Sequence, residues 1–211
     1  MKKKIVFIMN PISGTSSKAA VPSLIDSTLD KEQFEYEIKM TERPGHASEL
    51  AAEARDNHAD IVVAVGGDGT VNEVARSLVH SDSALGILPC GSGNGLARHL
   101  LLPMNLKKSI EIINACKIHD LDYGVINEYP FFCTCGMGFD AFVSMKFAES
   151  GKRGPISYAE NILREGLKYE PETYTLEDET GTKQYKAFLI SCANASQYGN
   201  NAYIAPQASM S

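Results

Sequence analysis

With 211 residues, 44% of them apolar and 22% charged, the chain can bury a sizeable core as one large domain, or as one domain and part of a second. Its formal net charge of −6 provides no global field for drawing in nucleic acid or an anionic bilayer, so such contact would need a local patch, and nucleic acid is not an expected partner. The apolar run Ile5 to Met9 is too short for a signal peptide and no segment approaches a transmembrane span, which predicts a soluble, intracellular protein.

Lys3 to Met9 reads as a buried strand running into Asn-Pro and then Ser-Gly. Ser16 to Leu29 follows as a helix if Pro22 falls in its first turn. Phe34 to Met40 alternates apolar and polar positions as a strand does, and His46 to Asn57 is Ala- and Glu-rich at helical spacing. Ile61 to Val65 is a third strand, Thr70 to Leu78 a helix, Leu85 to Leu88 a fourth strand, and Asn94 to Leu101 a helix after a glycine-rich loop. Strands alternating with helices at this interval predict parallel βαβ units in a three-layer α/β domain, a mostly parallel sheet with helices on both faces. The loops Asn10 to Gly14 (NPISG), Thr41 to Gly45 (TERPG), Gly66 to Thr70 (GGDGT) and Pro89 to Asn94 (PCGSGN) each follow one strand. They should converge at the carboxyl edge, where such sheets bind ligands.

After about residue 120 the pattern becomes richer in strands. Leu121 to Asn127 and Phe131 to Cys135 read as strands joined by a short turn, Phe139 to Glu149 and Ile156 to Tyr169 as helices around a Gly151 to Pro155 loop, and Thr173 to Glu177 with Tyr185 to Ala193 as a hairpin. The boundary is placed there, dividing the chain into 1–120 and 121–211. The final stretch, YGNNAYIAPQASMS, is rich in turn residues and reads as an interrupted β-rich domain. Five cysteines without C-x-x-C spacing argue against a disulfide framework and a zinc site, and five histidines show no ligand spacing.

The glycine loops carry the chemistry. At Gly66 and Gly67 a buried strand must turn sharply, and two residues without Cβ allow a ligand close to the backbone. The next helix presents free N–H groups and a positive dipole end, which favour phosphate. Loops of this kind at NPISG and PCGSGN suit a polyphosphate better than one phosphate. Asp68 is the discriminating residue, because a carboxylate among phosphates is repelled unless a divalent cation lies between them. That predicts Mg²⁺, held by Asp68 and by Asp122 in HDLDYG through water as readily as directly. The plainer alternative is that Asp68 caps the following helix. No G-x-x-x-x-G-K-[ST] and no G-x-G-x-x-G opens the first helix, which disfavours the P-loop and the classical dinucleotide fold.

GGDGTVNE at Gly66 to Glu73, NPISG at Asn10 to Gly14 and PCGSGNGLA at Pro89 to Ala97, with TERPGHA from Thr41, LDYG from Leu121 and GMGFDA from Gly136, together resemble the catalytic domain shared by diacylglycerol kinases, sphingosine kinases and bacterial lipid kinases. The resemblance covers nearly the whole chain. It implies an ATP-binding α/β domain followed by a β-sandwich-like lipid domain, with a lipid at a membrane surface as substrate, a cytoplasmic and peripheral location, and a homodimer left open. It implies that Asn10, Pro11, Ile12, Ser13, Gly14 and Thr41 contact ATP, and that Gly66, Gly67, Asp68, Gly69, Thr70, Val71, Asn72 and Glu73 embrace its phosphates. Gly91, Ser92, Gly93 and Asn94 supply the third loop, Asp68 and Asp122 organise magnesium water, Asp68 is catalytic, and Asp140 lies near the lipid headgroup. Gly95 after Asn94 is closer to the sphingosine kinase pattern. The family's acidic D-G metal segment and later general base are expected beyond residue 211.

The chemistry expected from these residues is direct phosphoryl transfer to a lipid hydroxyl. The alternatives are a soluble-substrate kinase of the NAD kinase sort, which shares GGDGT, and a nucleotide-binding module without turnover. Lys152 and Arg153 are a solvated turn or a headgroup contact, and Phe139 to Phe147 a core face or a lipid lining.

Overall fold

The computed structural model describes residues 2–14, 18–149, 166 and 169–210. The expected Ile156 to Tyr169 helix, apart from residues 166 and 169, and the basic loop with Lys152 and Arg153 lie outside the described residues.

Four strands, β1 (Lys3–Met9), β2 (Phe34–Met40), β3 (Ile61–Gly66) and β4 (Ala84–Pro89), form one parallel sheet in the order β2-β1-β3-β4. Residues 5–9 of β1 and every residue of β3 are buried, which is why both read as continuous apolar runs. Strand β2 alternates because it is an edge, and Glu35, Glu37 and Lys39 blunt that edge against further pairing.

Alternate residues of the central strands feed two separate cores. Val6, Ile8, Val62 and Ala64 pack with Ala47, Ala51 and Ala54 of α2 (His46–Asp56) and Val71, Val74 and Leu78 of α3 (Asp68–Leu78). Ile5, Phe7, Met9, Val63 and Val65 pack instead with Val21 and Ile25 of α1 (Val21–Thr28) and Ile110 and Ile113 of α5 (Leu106–Ala115). Each fully buried large aliphatic side chain contributes about 1.5–3 kcal/mol of transfer free energy. Pro22 sits in the first turn of α1, where its missing N–H costs nothing. Helix α5 has no counterpart in the sequence reading. Asn105 caps it by accepting the Lys108 N–H at 3.1 Å, and Cys116 ends it in the left-handed region at φ 48°.

The register brings the strand ends level: Met9 pairs with both Met40 and Val65, and Gly66 pairs with Pro89. The four expected loops therefore leave from one edge. Short α4 (Gly95–His99) follows the last of them.

Beyond residue 120 the strand bounds differ from expectation. The first hairpin is β5 (Gly124–Ile126) and β6 (Tyr129–Phe131), and Asp122 precedes it outside any strand. Asn127 and Glu128 both take positive φ, 46° and 69°, the two-residue turn whose twist matches a tight hairpin. Two compact units emerge: Met1–Cys133 with Asn194–Ser211, and Thr134–Ala193. The second contains β7 (Thr134–Gly138), α6 (Phe139–Glu149), β8 (Glu172–Asp178), β9 (Gly181–Ala187) and β10 (Leu189–Ala193), with β7 antiparallel to β10 and β8 to β9. The single strand expected from Tyr185 to Ala193 is interrupted at Phe188, whose ring packs 4.5 Å from Phe139 and 5.2 Å from Tyr169.

Candidate functional site

Three loops meet backbone to backbone at the carboxyl edge of the sheet. Thr41 donates its N–H to Met9 O at 2.9 Å, Asn10 to Val65 O at 3.1 Å and Cys90 to Gly66 O at 2.8 Å, so the ladder continues into the loops and fixes their exit. A Cβ on Gly14, which has φ 71°, would overlap the Cys90 carbonyl oxygen. One on Gly67 would lie 3.1 Å from Gly91 Cα, and one on Gly91 would overlap Gly67 Cα. Glycine is required at these positions by loop-to-loop contact before any ligand is considered.

Within NPISG, Asn10 Oδ1 accepts the Ile12 N–H at 3.1 Å, and Asn10 Nδ2 reaches Thr70 Oγ1 at 3.4 Å. Ser13 is buried, whereas Pro11 and Ile12 are exposed. In the third loop Asn94 stands at φ 55° and clasps Gly91, accepting its N–H at 2.9 Å and donating to its carbonyl at 2.8 Å. Ser92 is exposed on the outside of that loop.

Asp68 and Glu73 both act across helices. The Asp68 carboxylate accepts N–H groups of Asn94, Gly95 and Leu96, the last at 3.4 Å, and so caps α4, which has no capping side chain of its own. Burial pushes its pKa up, and those N–H groups oppose the shift. Glu73 accepts Gly45 N–H at 3.2 Å and Ala47 N–H at 3.1 Å, capping α2, whose N-cap is Gly45 at φ 81°. The start of α3 is left open. Gly67 brings no capping side chain, and the N–H groups of Gly69 and Thr70 have no partner among the described residues. Thr70 and Val71 are otherwise buried, and Asn72 is half-buried.

This edge fits phosphate: among the described residues it offers N–H groups without partners at a helix start, beside closely packed glycine loops. A bare cation fits less well, because the Asp68 oxygens are already engaged and no cluster of three acidic, histidine or cysteine side chains among the described residues is arranged to hold a metal. Asp122 is exposed, with its backbone fixed by Met210 O and Asn194 Nδ2, each at 2.8 Å. Asp140 belongs to the second unit, in the first turn of α6, where it accepts the Ala141 N–H at 2.7 Å.

Two contributions escaped the sequence reading. Lys18 is buried beside NPISG, and its ammonium donates to Ser13 O. The segment from Asn194 braces the third loop: Asn200 N–H donates to Gly93 O at 3.1 Å, Gly199 at φ 112° packs against Gly93, and Ser196 donates its N–H to His99 Nδ1 at 3.1 Å.

A parallel sheet covered by helices, with glycine-rich loops leaving its carboxyl edge, defines an open α/β domain of the kind that takes ligands at that edge. Residues 4–126 match the diacylglycerol kinase catalytic domain, and residues 133–211 the YegS C-terminal NAD kinase beta sandwich-like domain. The chain belongs to the diacylglycerol kinase catalytic domain family of lipid kinases. It is 32% identical over 163 residues to the diacylglycerol kinase of Staphylococcus saprophyticus, covering 75% of this chain and 53% of that protein. It is 29% identical over 187 residues to the "Probable lipid kinase YegS" of Escherichia fergusonii, covering 85% and 62%. The chain thus spans between a half and two thirds of the length of these curated relatives. A diacylglycerol kinase structure from Bacillus anthracis superposes with a TM-score of 0.73 over 99% of this chain and 72% of that one, at 20% identity, which establishes the shared fold. No helix among the described residues is long and apolar enough to cross a membrane.

Proposed function

We propose that the protein transfers the γ-phosphoryl group of ATP, with Mg²⁺, to a hydroxyl of a lipid such as a diacylglycerol or a sphingoid base, working from the cytoplasm at a membrane surface. The observation that carries this reading is the start of α3, where the N–H groups of Gly69 and Thr70 have no partner among the described residues, at the edge where the loops of Gly14, Gly67 and Gly91 meet backbone to backbone. These N–H groups receive phosphate oxygens, and Asn10, Ser13, Thr41 and the Gly91 to Asn94 loop line the nucleotide. Asp68 holds the third loop in place through the α4 N–H groups, and together with Asp122 it meets the metal through water. Hydrated Mg²⁺ supplies charge neutralisation for the transferring phosphoryl group. The β-rich part from residue 121 takes the lipid, with Asp140 towards its headgroup.

The test is incorporation of label from γ-labelled ATP into dispersed diacylglycerol, sphingosine, ceramide and NAD presented in parallel. A labelled lipid supports the proposal and names the substrate. Label in NAD alone would move the protein to the soluble-substrate kinases, and nucleotide binding without product in any arm would leave a binding module.

A further inference from the structure

Outside the phosphate edge, the second compact unit holds a pair of thiols that the proposed chemistry does not use. Strands β7 and β10 run antiparallel, and their register sets Cys192 directly opposite Cys135. Directly opposed residues of an antiparallel pair have Cα atoms about 4.5 or 5.5 Å apart, depending on the pair type, and both spacings lie within the range a disulfide bridges. Their Cβ atoms need to close by at most about 1 Å. Burial, and after it the neighbouring Cys192 thiol, raise the pKa of Cys135, as expected of two sulfurs placed side by side by that register. Cys192 is exposed and Cys135 half-buried, so one member is open to a reagent and the other waits behind it.

The remaining cysteines lack this arrangement. Cys133 is half-buried, donates to Gln197 O at 3.3 Å, and has its thiol pKa pushed up to about 12 by desolvation and by Asp68. Burial also raises Cys90. Cys116 stands alone, accepting a hydrogen bond from Lys3 Nζ at 3.3 Å.

We infer that Cys135 and Cys192 form a reversible oxidation site, closing to an intramolecular cross-strand disulfide under a hydroperoxide. The Cys192 thiolate attacks the O–O bond, which breaks to give a sulfenic acid and release the alcohol, or water when the oxidant is hydrogen peroxide. Cys135 sulfur then attacks the sulfenic sulfur, the S–O bond breaks, and the oxygen leaves as water with the Cys135 proton. Two thiols and one hydrogen peroxide thus give one disulfide and two waters, and a dithiol reductant reverses the change by exchange. The bond would tie β7, whose chain leads through Gly138 directly into Asp140 and α6, to β10.

The experiment is limited hydrogen peroxide treatment of the purified chain, alkylation of remaining thiols under denaturing conditions, and mass mapping without reduction. The expected result is a mass lower by two hydrogens before alkylation, a linked peptide pair containing Cys135 and Cys192, and full alkylation of both after a dithiol reductant. Cys192→Ser should abolish the linked pair and leave Cys135 open to alkylation, with Cys116→Ser as the control that changes neither. Both residues alkylated after oxidation, sulfinic acid in place of the link, or Cys135 joined to another cysteine would overturn the inference. The readout is covalent mass and stands whether or not the chain phosphorylates a lipid.

Discussion

Replacing Gly91 by Ala tests the contact between the loops directly. The added Cβ would overlap Gly67 Cα and lie 2.8 Å from Asn94 Oδ1 and 3.2 Å from Gly67 N, closer than the roughly 3.5–4.0 Å of a comfortable carbon contact. The first of these neighbours is backbone and cannot rotate away, so one loop must retreat by about 1 Å. Overpacking of this kind costs about 1–3 kcal/mol. With a urea dependence near 2 kcal/mol per molar, the unfolding midpoint should fall by about 1 M. Gly69→Ala is the matched control, because a Cβ there meets nothing within 4 Å. It lies in the first turn of α3 and should be neutral or stabilising by about 0.4–1 kcal/mol. The proposed phosphate site lies at that same turn, so nucleotide affinity measured by calorimetry should fall for Gly69→Ala although the fold is intact. An unchanged midpoint for Gly91→Ala, or an equal loss for Gly69→Ala, would refute the idea that loop contact demands one glycine and ligand approach the other.

Three further outcomes are expected. Glu73→Ala removes the acceptor for Gly45 and Ala47 N–H and should cost about 1–3 kcal/mol in thermal or urea unfolding, with Glu73→Gln losing less; two silent variants would exclude the capping role. The folded pKa of Asp68 is raised above 3.8, so ionising it costs stability as pH rises through the folded value; Asp68→Asn does not titrate, and its urea midpoint should gain on the wild type between acid and neutral pH, a constant gap being the contrary result. Leu101 is 88% exposed at φ 57°, a bulky residue where helix ends favour glycine, so Leu101→Gly should raise the melting temperature by relieving about 1 kcal/mol of backbone strain.

The sheet and its loops could be read from the chain because burial on both faces leaves an unbroken apolar run, as in Ile61 to Val65, and a glycine or Asn-Pro marks where each run must stop. Convergence of the loops followed from parallel connection alone. The acidic residues were harder. Asp68 lies in the first turn of α3, where a helix favours its own acids, and Glu73 one turn further on, and only their hydrogen bonds to the starts of α4 and α2 reveal that they serve those neighbours instead. Helix α5 did carry a signal, Asn105 ahead of Leu106, Ile110 and Ile113. Lys18 and the Ser196 to Asn200 brace carried none. A lysine near a serine-rich loop reads as solvated, and a contact spanning a hundred residues leaves no local trace.

The borrowed caps bear on how the domain assembles. Helix α2 has 11 residues and α4 only 5, below the roughly 12–15 at which an isolated helix holds together in water. Because each takes its terminal acceptor from a carboxylate on α3, neither segment gains that stabilisation until α3 has docked on β3. The two loops attached to them should therefore become ordered in one concerted step and lose protection from hydrogen exchange together.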